Sequence, residues 1–184
     1  MSSSKKIKII LPVVLVLFLG AFARHRYTQH KLVITGRLMD RQMDEISGIA
    51  ASGINKGIYY VHNDSGDSTR FFAITPQGNL ISVINFNRDP NEGLYRLDCE
   101  DIAVGPGPSK GKSYVYMGDI GDNNSHRSFV NVYRIEEQKA WTNRKDSITK
   151  ARAEVVHFRY PDSPRDAETL MIDPIEKLFY IVSK

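Results

Sequence analysis

Tyr59-Tyr60-Val61-His62-Asn63-Asp64-Ser65-Gly66-Asp67 is the stretch on which the reading of this chain turns. A run of aromatic and branched residues suited to a strand breaks off in a polar turn that carries two carboxylates three positions apart. The pattern returns as Tyr114-Val115-Tyr116-Met117-Gly118-Asp119-Ile120-Gly121-Asp122, with Asp64 and Asp67 falling on Asp119 and Asp122 at one constant offset. A repeated strand-and-turn unit predicts repeated sheets.

The flanking sequence follows the same plan. Ahead of the first copy, Ile46-Ser47-Gly48-Ile49-Ala50-Ala51-Ser52 reads as a small-residue strand packed on both faces. Residues 58–62, 70–74 and 80–86 supply three more strands, the last two joined by the turn Thr75-Pro76-Gln77-Gly78-Asn79. The series restarts with Glu100-Asp101-Ile102-Ala103-Val104-Gly105, followed by strands at 113–117, 129–135 and 152–160. A third copy opens at Glu168-Thr169-Leu170-Met171-Ile172-Asp173 and continues into 177–182. Ile49, Ile102 and Leu170 mark the same point in the three copies, and the second interval is the longer. The period of the apolar residues is that of strands, not helices. β repeats of this length predict an all-β, partial β-propeller over residues 44–184, its blades starting near 46, 99 and 167. About two and a half blades do not close a ring of roughly 4–8, so the expectation is a fragment of a longer chain.

Two further segments precede this body. Lys5, Lys6 and Lys8 lead into an apolar run over residues 9–23 that ends in Ala21-Phe22-Ala23. That is the form of a signal peptide or a signal anchor, and either places the body outside the cytoplasm. Residues 24–43 read as a basic tether and a first strand at 31–38. Residues 1–31 hold six of the 25 basic residues and no Asp or Glu, so the net charge of +4 belongs to this leader. The body, with 21 acidic residues, has no electrostatic footprint for nucleic acid. The membrane is met only through the N-terminal segment. Cys99 is the one cysteine, which excludes an intrachain disulfide and the usual thiolate metal sites and reads as a small buried hydrophobe.

Five stretches, Glu45-Ile46-Ser47-Gly48-Ile49-Ala50, Val61-His62-Asn63-Asp64-Ser65-Gly66-Asp67, Asp98-Cys99-Glu100-Asp101-Ile102-Ala103, Gly118-Asp119-Ile120-Gly121-Asp122-Asn123, and Asp166-Ala167-Glu168-Thr169-Leu170 with Asp173-Pro174, resemble a family of exported, largely uncharacterised β-propeller proteins of the six-bladed, TolB-like class. The resemblance covers most of residues 43–184. It implies the fold and no settled reaction. Cys99 departs from it, since such proteins carry a Trp between the two acids, and so does the early stop.

Two acidic sets are the candidates for chemistry. Asp64, Asp67, Asp119 and Asp122, with Asn63 and Asn123, would gather at equivalent blade ends as hard oxygen ligands for Ca²⁺. The same residues also suit turn caps, with Gly66 and Gly121 supplying positive φ. The stretch from Asp119 is no EF-hand, because Asn124 and Val130 stand where Gly and Glu are needed. Glu45, Asp98, Glu100, Asp101, Asp166 and Glu168 form the second set. They could line a central channel as ligand-binding or acid/base groups, or bond to backbone amides of the neighbouring blade. His62, Ser65 and Asp64 are too close in sequence to form a triad, and there is no Gly-x-Ser-x-Gly elbow and no zinc-spaced His pair. Asn63-Asp64-Ser65 and Asn123-Asn124-Ser125 match the glycosylation pattern. Residues 139–150, with Trp141, read as a solvated charged connection or a partner-binding loop. The functional expectation is a non-enzymatic extracytoplasmic binding or scaffold module that takes a protein or small molecule on one propeller face. The alternative is a Ca²⁺-dependent, phosphoester-type hydrolase.

Overall fold

A computed structural model describes residues 34–87, 97–142 and 147–184, and the apolar segment 9–23 lies outside them. No described helix is long and apolar enough to cross a membrane. The described chain from Gly36 onward is all-β, in three sheets, none of them closed.

The first sheet is an antiparallel meander of β1 (Ile46–Ala51), β2 (Tyr59–Asn63), β3 (Arg70–Ile74) and β4 (Leu80–Phe86). The second begins with β5 (Cys99–Pro106), β6 (Ser113–Asp119) and β7 (Val130–Glu136). The chain then leaves it for β8 (Ser147–Ala151), a fifth strand of the first sheet, and returns with β9 (Ala153–Phe158). The third is the hairpin of β10 (Ala167–Ile172) and β11 (Phe179–Ser183). Apart from β8, these strands match the expected ones to within two residues at each end. Residues 34–38 form no strand, and Arg37 N–H donates to Gln77 O instead of joining a ladder.

Two apolar layers separate the sheets. Tyr60, Phe71 and Ile84 of the first sheet pack against Val115, Met117, Tyr133 and Ile135 of the second. The other face of the second sheet, with Tyr116, Val130 and Val132, packs on Leu170, Ile172 and Phe179 of the third. A strand covered on both faces needs apolar residues at successive positions, which is why β6 reads as an unbroken apolar run, and β3 does too because Phe72 and Ile74 on its other side cluster with Met43, Val61 and Val83. β5 lies against both β1 and β10, so the opening strands of the three sheets are neighbours. Contrary to expectation, β1 is not packed on both faces, and Ile49 is exposed. Among the described residues it has such a neighbour on one side only.

Each opening strand carries the same irregularity. The register skips Ser47 between Ile46↔Asn63 and Gly48↔His62. It skips Glu100 between Cys99↔Asp119 and Asp101↔Gly118. It skips Glu168 between Ala167↔Ser183 and Thr169↔Val182. A bulge of one extra residue re-aims a side chain out of the pleat. Each bulge precedes Ile49, Ile102 or Leu170 by the same two positions, so the bulges keep the intervals read from the sequence. The same register corrects one pairing: Asn63, not Asp64, occupies the position of Asp119.

The described residues of 139–150 do not form a solvated connection. A 3-10 turn, Lys139–Thr142, places Trp141 in the core with its ring 5.5 Å from Phe71 and 5.9 Å from Tyr60. Ser82 Oγ donates to Trp141 O at 2.6 Å. The chain then enters β8, which pairs parallel with β4 and so extends the first sheet from within the second repeat. Nearby, the buried Glu137 accepts hydrogen bonds from Tyr60 Oη at 2.9 Å and Gly53 N–H at 3.0 Å, tying the two sheets together again.

Candidate functional site

The bulges bring carboxylates together at one end of the three opening strands. Glu100 is the shared member of two groups, Asp64–Asp98–Glu100 and Glu100–Asp166–Glu168, in each of which the ligand oxygens lie within 4.8 Å of one another. Three elements supply them. β5 and the residue before it carry Asp98 and Glu100, β10 and the residue before it carry Asp166 and Glu168, and the turn after β2 carries Asp64. Members of both acidic sets thus meet in one cluster.

The remaining acidic residues are occupied elsewhere. Asp119 is fully buried and receives Arg127 through two guanidinium bonds of 2.7 and 2.9 Å, with further donors from Asn131 and the Asp98 N–H. Asp122 accepts the backbone N–H groups of His126 and Arg127, so it caps its own turn. Asp67 pairs with Arg70 at 2.9 Å and holds the Asn63 amide. Asp101 spends both oxygens on backbone N–H groups, Ile102 on its own strand and Leu170 on the next sheet, each at 2.8 Å. Glu45 stands apart, lining a polar hollow with Asp44, Asp64 and Asp67. Of the four carboxylates expected to gather around Ca²⁺, only Asp64 reaches a carboxylate group among the described residues.

The electrostatics divide the cluster. Asp166 Oδ1 accepts the Asp122 N–H and Oδ2 receives Lys184 Nζ at 2.9 Å; Lys184 also contacts Glu168. Desolvation works against the charged form of Asp166, but those donors outweigh it and hold its pKa low. Asp98 and Glu100 have no such support. Burial, followed by the charges of Asp64, Glu168, Asp98 and Asp166, pushes Glu100 up to about 8. Burial also raises Asp98, with Arg127 offsetting part of the effect. Glu100 is 6 % exposed and its carboxylate accepts no hydrogen bond and forms no ion pair among the described residues.

Local backbone explains the crowding. Gly121 lies directly against Glu100 Oε1 and the Asp98 carboxylate, and a Cβ there would overlap both. That glycine supplies space, not the positive φ expected of it; Gly66, at φ 92°, does adopt the left-handed region. An open cleft of about 420 Å³ runs beside the group, with Asp98, Gly121, His126 and Arg127 among its walls. Asn63 is buried and its Nδ2 donates to Gln42 O, Asp44 and Asp67, which leaves that amide engaged rather than presented for a glycan. Cys99 is buried beneath the site, and desolvation lifts its pKa well above that of an ordinary thiol. His157 lies on the exposed side of β9, its Nδ1 bonded to Asn131.

The chemistry on offer is that of clustered hard oxygens with little compensating positive charge. Such a surface attracts cations and repels anions. The sequence marks Asp98, Glu100, Asp166 and Glu168 as repeated; the partnership of Asp64 with them, and the role of Lys184, have no sequence signal. No family model, curated protein or solved structure matches this chain.

Proposed function

We propose that the chain is part of a β-propeller acting outside the cytoplasm as a binding module, and that its ligand-binding face is the carboxylate-rich end of the three opening strands. One observation carries the reading: the same one-residue bulge occurs at the same register in all three sheets, at Ser47, Glu100 and Glu168. Bulges placed identically in successive repeats turn one position per repeat toward a common end. Meander sheets stacked face to face, with their first strands adjacent, support the propeller reading. The lysine-led apolar run ahead of the body supports export. The partner favoured by this face is cationic, because Glu100, Asp98 and Asp64 lack a paired cation among the described residues.

Backbone amide NMR of the full chain, titrated with spermine and separately with succinate, tests this. Spermine is expected to shift amides at 64–66, 98–101 and 119–122, and succinate to leave them still. Shifts scattered over the surface, or equal responses to both, would overturn the reading.

A further inference from the structure

The two carboxylate groups that share Glu100 differ in one respect. Asp166 and Glu168 already hold a cation of the protein's own, the Lys184 ammonium. Asp64, Asp98 and Glu100 form no ion pair among the described residues, and Arg127 acts on Asp98 only through space, its guanidinium being committed to Asp119. Asp64 caps the Ser65 N–H at 2.6 Å and offers a carboxylate oxygen to the group.

A second observation is independent of this count. Glu100 keeps only 6 % of its surface exposed, faces the group, and finds no donor among the described residues. What little of Glu100 meets solvent is all that offsets the cost of burying its charged form, and a cation reaching it from that side would do so directly. Gly121, which has no Cβ, lets Glu100 Oε1 and the Asp98 carboxylate crowd together against its backbone. We infer that Asp64, Asp98 and Glu100 bind one divalent cation, Ca²⁺ in preference to Mg²⁺, while Asp166 and Glu168 keep Lys184. The group offers only carboxylate oxygen, with no imidazole or thiolate, which selects hard cations over Zn²⁺. Its ligands come from two separate chain segments, and such a set meets the flexible six-to-eight-oxygen shell of Ca²⁺ more readily than the strict octahedron of Mg²⁺. Water in the adjoining cleft would complete the shell. The inference rests on the binding-face reading and names an occupant for it.

Isothermal titration of the EDTA-treated full chain with CaCl₂ and with MgCl₂, alongside thermal melts, is the test. One equivalent of Ca²⁺ is expected to bind and raise the melting temperature. Glu100→Gln and Asp98→Asn should each weaken binding at least about tenfold, whereas Asp166→Asn with Glu168→Gln should keep one equivalent. Glu100→Gln replaces a carboxyl that finds no donor among the described residues by a neutral amide of nearly the same shape, so its metal-free melt should be no lower than wild type, and that melt certifies the fold before binding is scored. Asp98→Asn provides the same reading from a residue nearer solvent. No saturable binding of either ion up to about 10 mM, or undiminished affinity in both single variants, would overturn the inference. If spermine still perturbs the amides at 98–101 while Ca²⁺ does not bind, the binding face stands and the metal site falls. If Ca²⁺ binds as described and spermine does nothing, the metal site stands and the cationic-partner reading falls.

Discussion

Glu100→Gln should stabilise the metal-free protein at alkaline pH and leave it unchanged in acid. Glu100 is an acid whose folded pKa is raised, from the ordinary 4.5 to about 8. The folded state therefore holds this proton more tightly than the unfolded chain does. The stability contributed by the neutral carboxyl is fully present below about pH 4.5 and is lost as pH climbs to about 8. At 1.36 kcal/mol per decade, the ceiling on that loss is roughly 5 kcal/mol. Water in the open cleft and adjustment of Asp64 and Asp98 screen part of it, and we take about 2 kcal/mol as the realistic figure. Gln has nearly the shape of the neutral acid and never ionises. The variant should match wild type near pH 4.5 and exceed it by about 2 kcal/mol above pH 8, or about 4–8 °C in melting temperature. Urea unfolding in EDTA, followed through the emission of Trp141, measures this from pH 4.5 to 9. A difference that does not change with pH, or a variant less stable than wild type at pH 8.5, would refute the electrostatic account. Saturating Ca²⁺ should reverse the order at pH 8, because wild type alone then carries the third ligand.

Asp119→Asn should cost about 3–5 kcal/mol, because it leaves the Arg127 guanidinium largely buried without its two-pronged partner; chemical denaturation reads the loss directly. Trp141→Ala should cost a similar ~3–5 kcal/mol by opening a cavity between Phe71 and Tyr60. In wild type the indole emission should be blue-shifted and shielded from iodide, and iodide quenching as efficient as for free tryptophan would contradict its burial. Cys99 should resist iodoacetamide at pH 8 until the protein unfolds, since desolvation keeps its thiol protonated; mass spectrometry of the native protein showing rapid alkylation would count against the fold around β5.

The strands were legible because their physics is local. Runs such as Arg70-Phe71-Phe72-Ala73-Ile74 and turns such as Thr75-Pro76-Gln77-Gly78-Asn79 signal themselves within a few residues. The repeat intervals were legible for the same reason, and the bulges reproduce them. What escaped the sequence depends on distance. Ser147-Ile148-Thr149-Lys150-Ala151 is too polar to stand out as a strand, and only β4, far upstream, makes it one. Trp141 looks solvated among Lys139, Arg144 and Lys145, because nothing local reveals Phe71 and Tyr60 behind it. At the site, the repeated acids were visible but their division of labour was not. Asp119, Asp122 and Asp67 are set apart from Asp64 by arginines and backbone amides that the turn geometry delivers. The one-residue difference between Asn63 and Asp64 opposite Asp119 is a matter of register, which sequence alignment alone does not resolve.

The strand β8 has a consequence for how the molecule is made. Val83 meets Ile148 across a parallel ladder, with three strands of the second sheet lying between them in the chain. During synthesis the first sheet emerges with its outer border bare, and that border stays open until the whole middle of the second sheet has followed. Parallel pairing over such a span is slow to form, since the intervening loop must close before any bond is gained. The nascent chain therefore passes through an interval in which β4 is available to a strand from another copy, and chaperone engagement or strand exchange between chains would fall within that interval.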